Sequence, residues 1–276
     1  MELQASLQSL HITSPDPEQA ARFYSGTYGM TQTPVGDGFV CRAPGRTLQL
    51  SKGEASRLKY AHYGLQTDAA WQAFTARVQR LDHQPLPEAM SDHKNAIALK
   101  DPDGNLIVFT PPVAATGEGG SAALPPATLQ HFGMRTTQLP AMLAFYTDQL
   151  GFVLSDAVKD PEGVLRACFL RTDALHHSLA LFFAPVSCFD HPSFEAPDWH
   201  SMRVWGDHMA AIKVPIVWGI GRHGPGNDVF FMVRDPDGNL AEISAEIEHC
   251  APDRPAGQWA HEERTLNLWG MAILRS

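Results

Sequence analysis

A chain of 276 residues has room for two domains of roughly 120–140 residues each, and 44% hydrophobic with 18% charged residues describes an ordinary soluble globular protein. A net charge of −9 argues against nucleic acid and anionic membrane surfaces as partners, because both would repel it. No apolar run approaches the roughly 18–20 residues that span a bilayer, and the opening "MELQASLQSLHITSPDPE" lacks the basic and then apolar stretches of a secretory signal, so a cytoplasmic protein is expected.

In chain order, "SLHITSPDPEQAARFYSGTYGM" (9–30) reads as an alternating strand, a proline-bearing loop and a helix carrying Phe-Tyr, closed near a glycine. "YAHYGLQTDAAWQAFTARVQRLDH" (60–83) reads as a strand followed by an amphipathic helix. "NAIALKDPDGNLIVF" then places Asp-Gly between two apolar runs, a hairpin signal because glycine readily takes the positive φ of the turn. "PPVAATGEGGSAALPPA" (111–127) is rich in Pro, Gly and Ala without periodicity, which is the composition of a linker. The same order then repeats: "LQHFGMRTTQLPAMLAFYTDQLGF" (129–152), "FDHPSFEAPDWHSMRVWGDHMAA" (189–211) and "DVFFMVRDPDGNLAEIS". The chain is therefore expected to hold four β-α-β-rich modules paired into two domains, 1–113 and 128–250, joined by a linker at 114–127. The tail 251–276 lies outside the repeat and reads either as a helix closing over one domain or as an oligomer contact.

Four cysteines (Cys41, Cys168, Cys188, Cys250) lie far apart without a C-x-x-C pair, so reduced thiols are expected and a zinc–thiolate site is not. Thirteen histidines are many for this length, and the question is which of them converge. The two DPDGNL turns lead into different residues, Val108 after the first and Glu242 after the second. Strand alternation puts Glu242 on one face with Leu240 and Ser244, and Ala241 and Ile243 on the other. His131 and His191 each sit inside an apolar alternating stretch of the C-terminal half. Two neutral imidazoles and one carboxylate on one side of a metal make the facial triad of non-heme Fe(II) oxygen chemistry, with positions left open for substrate and dioxygen. Taken singly, a strand histidine is more often a half-buried structural residue, and a glutamate after a turn is usually solvated. Only the trio in register within a duplicated frame raises metal binding as a reading. His11, His62 and Val108 are the landmarks of the N-terminal half, and with the anionic ligand lost they read as a vestigial site.

These residues, with "VWGIGRHGPGNDVFFMVRDPDGNLAEIS" as the most specific stretch, resemble the type I extradiol ring-cleavage dioxygenases of the vicinal-oxygen-chelate superfamily, over about residues 7–248. The resemblance implies an α+β fold of four βαβββ modules in two domains, with curved mixed sheets enclosing a cavity and the metal in the C-terminal domain. It implies metal ligands at His131, His191 and Glu242, an acid–base histidine at His177 in "ALHHSLALF", and a histidine at His223 that hydrogen-bonds substrate or oxygen. It further implies Fe(II), with Mn(II) as a rarer substitute, a small catecholic substrate with O2, and a homo-oligomer. A metal-held catechol hydroxyl loses its proton readily, and an imidazole with a pKa near neutrality can take that proton and later return one. On residues alone His177 also reads as a strand residue paired with His176, and "RHGPG" as a turn with a solvated histidine; His176, His200 and His208 take that structural reading.

Two departures stand out. Met232 occupies the place, ten residues before the glutamate, where many family members carry a tyrosine, and a thioether cannot donate that hydrogen bond. Pro192, beside a proposed ligand, lacks an N–H and suits an edge or irregular strand position. Within the same fold, a glyoxalase-like metal-dependent isomerase or transferase and a non-enzymatic small-molecule binding protein are the alternatives, since fold does not fix function.

Overall fold

The computed structural model describes residues 3–112 and 124–273, so positions 114–123 of the expected linker lie outside the described residues. The N-terminal half runs β1 (Ala5–Ser14), α1 (Pro17–Tyr28), β2 (Thr31–Val35), β3 (Gly38–Ala43), β4 (Arg46–Lys52), β5 (Arg57–Leu65), α2 (Asp68–Val78), β6 (Ile97–Lys100) and β7 (Leu106–Thr110). The C-terminal half runs β8 (Thr128–Thr136), α3 (Leu139–Ala144), β9 (Val153–Lys159), β10 (Leu165–Arg171), β11 (Leu179–Phe183), β12 (Cys188–Ala196), α4 (Trp199–Ala211), β13 (Ile216–Arg222), β14 (Val229–Arg234) and β15 (Leu240–Ala245). This is the α+β module pattern read from the repeats. The second module is one strand short: a single bridge, Gln84 to Ala98, stands where its first hairpin strand would be.

Local chemistry sets the helix boundaries. Asp16, Thr67 and Asp198 cap α1, α2 and α4 by accepting from the backbone N–H three residues on, which satisfies an otherwise orphaned donor. Gly29 ends α1 in the left-handed region that glycine enters without a Cβ penalty.

Each half forms one sheet, ordered β2-β3-β4-β1-β5-β7-β6 and β13-β14-β15-β12-β8-β11-β10-β9, with the same wiring. The first strands of the paired modules run antiparallel at the centre, β1 with β5 and β8 with β12. Each is flanked by the parallel last strand of its own module: β4, β7, β11 and β15. The expected tail is part of this architecture. It adds β16 (Gly257–Ala260) as a ninth strand beside β9, then a short helix α5 (Glu263–Leu266).

The halves brace each other through the two repeated motifs. In each DPDG turn one oxygen of the first aspartate accepts from the turn backbone, Asn105 N to Asp101 Oδ1 at 2.9 Å and Asn239 N to Asp235 Oδ1 at 2.8 Å. The other oxygen accepts from the tyrosine of the opposite half's Phe-Tyr helix: Tyr24 Oη to Asp235 Oδ2 at 2.9 Å, and Tyr146 Oη to Asp101 Oδ2 at 3.1 Å. All four residues are buried, where a hydrogen bond to a charged acceptor contributes about 1.5–3 kcal/mol. The repeated turn is thus a hairpin and also the socket for the other half's helix. Among the described residues no helix is long and apolar enough to cross a membrane.

Candidate metal centre

The C-terminal sheet brings His131 (β8), His191 (β12) and Glu242 (β15) to one buried point. Their ligand atoms all lie within 4.8 Å of one another. His131 Nε2 and His191 Nε2 are 3.3 Å apart, and His191 Nε2 lies 3.9 Å from Glu242 Oε2. Adjacent strands supply this convergence: β12 pairs with β8 on one side and with β15, at Ser193–Glu242, on the other.

Two β-bulges aim the histidines. Along the β8–β12 ladder the register skips Asp190, between Phe189 and His191, and skips Gln130, between Leu129 and His131. Each skipped residue holds the histidine next to it in the chain: His131 Nδ1 to Gln130 Oε1 at 2.6 Å, and His191 Nδ1 to Asp190 Oδ1 at 2.6 Å. Arg135 Nε pairs with the other oxygen of Asp190 at 2.6 Å, and Gln130 Nε2 donates to the carbonyl of His177, which fixes the direction of its amide. Because both acceptors are oxygens, each imidazole carries its proton on Nδ1 and presents an Nε2 lone pair to its neighbour. Two such lone pairs facing each other beside a carboxylate suit a divalent cation between them. That donor chemistry is the fit of this site to a metal.

Gly133 completes the cradle. A Cβ there would lie 2.2 Å from His191 Cε1, so only glycine leaves room for the ring. Pro192 lies not on an edge but in the interior strand β12, at an irregular place between the two register shifts and before pairing with β15 begins.

The remaining predicted residues gather at the same cavity, which His177, His223 and Met232 all line. The His177 ring is 4.3 Å from that of His131, centroid to centroid. Burial, then the neighbouring histidines, holds its pKa well below the usual imidazole value, so the ring is neutral near pH 7. His223 stacks on Phe230 at 3.6 Å, and its Nδ1 donates to the carbonyl of Leu266, in α5, at 2.6 Å. The tail therefore folds over its own half and orients a site histidine. Met232 pairs with Glu242 across β14 and β15. The rest of the wall is apolar, with Phe169, Phe182, Pro225 and Leu266.

Of the histidines read as structural, His200 and His208 lie on α4, where His208 Nε2 reaches the carbonyl of Thr27 at 3.1 Å. His176 differs, because its Nδ1 lies 3.0 Å from His177 Nδ1. Sequence reasoning also passed over Gln130, Asp190, Gly133 and Asp228. The first two stand immediately before a ligand candidate in "LQH" and "FDH", which is a signal of a kind, but a bulge is needed to bring neighbours on a strand together. Asp228, fully buried, offers a carboxylate oxygen within 4.8 Å of His223 and Glu242 ligand atoms, and burial followed by the charge of Glu195 raises its pKa well above the usual range.

The N-terminal half corrects one expectation. The register matches His131 with Ser9, since these pair with Ser193 and His62 respectively, and it matches His191 with Tyr60 and Glu242 with Val108. His11 falls at the place of Gly133 and His62 at that of Ser193, so neither occupies a ligand position. His11 instead bonds Ser51 Oγ at 2.8 Å and His62 bonds Thr110 Oγ1 at 2.9 Å.

Residues 128–243 match the family model of the Glyoxalase/Bleomycin resistance protein/Dioxygenase superfamily. The chain is 30% identical over 192 residues to metapyrocatechase 2 of Cupriavidus necator, covering 62% of this chain and 59% of that protein, less than two thirds of its length. It is 30% identical over 157 residues to biphenyl-2,3-diol 1,2-dioxygenase 3 of Rhodococcus globerulus, covering 51% of this chain and 75% of the relative. An iron-dependent extradiol dioxygenase of Rhodococcus jostii is 28% identical over 166 residues, 56% of this chain and 51% of the relative. Homoprotocatechuate 2,3-dioxygenase of Arthrobacter globiformis shares the fold with a TM-score of 0.79 at 22% identity, over 98% of this chain and 88% of that one.

Proposed function

From a chain that belongs to the glyoxalase/bleomycin resistance protein/dioxygenase superfamily, on its extradiol dioxygenase branch, we propose an Fe(II)-dependent extradiol dioxygenase that opens a catecholic ring next to its vicinal diol with O2. The observation that carries the reading is the convergence of His131, His191 and Glu242, each imidazole locked with Nε2 facing the others, beside a neutral buried His177. Two neutral donors and one carboxylate match the facial triad of non-heme iron, with Mn(II) as a substitute of the same charge and oxygen preference. His131 and His191 would hold the metal through Nε2 and Glu242 through its carboxylate. When bound, Fe(II) supplies Lewis acidity toward the diol and redox capacity toward dioxygen.

The chain's own residues do the rest. His177, neutral and enclosed, takes a proton from a catechol hydroxyl and later returns one. His223, oriented by the hydrogen bond from its Nδ1 to the carbonyl of Leu266, lines the cavity where it can contact the substrate. Phe169, Phe182, Pro225 and Leu266 exclude water from the ring-binding space. Met232 contributes shape and no hydrogen-bond donor, which leaves the polar contacts with the substrate to the two histidines.

Oxygen uptake by anaerobically purified, iron-loaded protein against a panel of catechols tests the reading, with Glu242→Gln as the control. Uptake with ring-opened yellow product is expected from the wild type, with loss of both tight iron binding and uptake in the variant. A fully active, iron-loaded Glu242→Gln protein would overturn it. So would a wild type that binds iron yet consumes no oxygen with any catechol.

A further inference from the structure

The C-terminal segment 254–259 converges on one buried carboxylate, Asp156 on β9, far from any ligand candidate in sequence. Asp156 Oδ1 accepts from Arg254 Nη2 at 3.0 Å and from the backbone N–H of Gly257 at 3.1 Å. Asp156 Oδ2 accepts from Trp259 Nε1 at 2.6 Å and lies 3.2 Å from His176 Nε2. His176 is fully buried, and its other nitrogen, Nδ1, lies 3.0 Å from His177 Nδ1. Gly257 is part of the arrangement, because a Cβ there would lie 2.4 Å from Asp156 Oδ1.

The hydrogen-bond direction along this row follows from the carboxylate at its head. An ionised carboxylate only accepts, so the His176 nitrogen facing Asp156 carries the proton. With that single proton on Nε2, His176 offers a lone pair at Nδ1, and the facing Nδ1 of His177 is the N–H. That leaves Nε2 of His177 as the unprotonated nitrogen. We infer that Asp156 and His176, pinned by the C-terminal segment, are positioning residues that select the His177 tautomer whose Nε2 can take the substrate's proton. The inference rests on the reading of His177 as the acid–base group of the site. It also gives the tail a purpose, since the same segment that orients His223 through Leu266 orients His177 through Asp156.

Asp156→Asn discriminates this from mere packing. Arg254 and Gly257 both donate to Oδ1, which keeps the amide oxygen on their side and turns the NH2 toward His176 and toward Trp259, whose indole N–H loses its acceptor. An N–H donor there demands a lone pair on His176 Nε2, moves its proton to Nδ1, and inverts His177 to the Nε2–H tautomer. The measurement is the ¹⁵N spectrum of histidine-labelled full-length protein loaded with diamagnetic Zn(II), wild type against Asp156→Asn. The expected result is an Nδ1–H tautomer for His177 in the wild type and an Nε2–H tautomer in the variant. Iron-loaded Asp156→Asn should lose about 10²–10⁴-fold in kcat with KM nearly unchanged, the usual weight of general acid–base catalysis. Gly257→Ala, which displaces the carboxylate while keeping it, should give a smaller loss in the same direction. Nε2–H on His177 in the wild type overturns the inference whether or not the variant folds, as does an unchanged tautomer in folded Asp156→Asn. If the tautomers switch as expected but no catechol supports oxygen uptake, the row of groups stands and the dioxygenase reading falls.

Discussion

The two halves of the molecule share their wiring and differ at five side chains around one point. Where the C-terminal sheet has His131, Gly133, His191, Ser193 and Glu242, the N-terminal sheet has Ser9, His11, Tyr60, His62 and Val108. Both ladders even keep their bulges: Gln8 is skipped where Gln130 is, and Lys59 where Asp190 is. A lysine cannot accept the Nδ1 proton of a histidine, so the second bulge of the N-terminal half could not orient a ligand even if one were present. The lesson is that the backbone frame does not make a metal site. The site needs the aimed ligand, the acceptor that fixes its tautomer and the missing Cβ that gives the ring its space.

The largest test of that comparison in the C-terminal half, after loss of Glu242 itself, is Gly133→Ala. The added Cβ would sit 2.2 Å from His191 Cε1, a contact that only movement of the ring can relieve. Iron affinity should fall by about 10–100-fold, the range seen when the support of a metal-bound histidine is lost, while far-ultraviolet circular dichroism stays close to wild type. Isothermal titration with Fe(II) under argon measures it, and unchanged affinity would show that the glycine has no part in shaping the site.

Where the halves are alike, the comparison predicts equal effects. Tyr24→Phe and Tyr146→Phe each leave a buried aspartate oxygen without its donor from the opposite half, and each should cost about 2–3 kcal/mol in urea denaturation. Neither should alter iron stoichiometry, because neither tyrosine touches the site. A loss confined to one of the two would break the symmetry that the repeated turn implies.

How far this was legible in the sequence depends on how local each feature is. The module order came from hydrophobic alternation and from Asp-Gly turns, which are local. His131, His191 and Glu242 were singled out by their places in the repeat and matched to ligands by a family resemblance, and they meet because three strands are neighbours, which no local pattern states. The N-terminal landmarks failed for a physical reason: His11 and His62 lie one alternation step beyond the ligand positions, on the correct face but at the wrong rung. Counting histidines cannot see a register, while the gapless match of "LQSLHIT" with "LQHFGMR" around the shared Leu-Gln could have shown that Ser9 answers His131. The bulges and the Asp156–His176–His177 row depend on contacts distant in sequence and were out of reach.

The smallest predicted effect concerns what the N-terminal half did with its histidines. Burial, aided by the neighbouring Lys59 and His93 respectively, lowers the pKa of His11 and of His62 from 6.5 to about 4. Both are therefore neutral in the folded protein near pH 7. Below pH 6.5 the unfolded chain takes up a proton at each position while the folded chain does not until about pH 4. The unfolded state then binds more protons, and stability must fall as pH drops through that window. For one histidine the loss between pH 7 and pH 5 is up to about 2 kcal/mol. His62→Gln keeps a polar side chain facing Thr110 but removes the titration, so its urea midpoint should change less between pH 7 and pH 5 than that of the wild type. In the C-terminal half a bound cation would oppose protonation of His131 and His191 directly, so iron-loaded and iron-free wild type should differ in their acid sensitivity while the His62 contribution stays the same in both. If His62→Gln leaves the acid dependence untouched, the buried imidazole of the N-terminal half is not the neutral structural group that separates it from the proposed metal site of the C-terminal half.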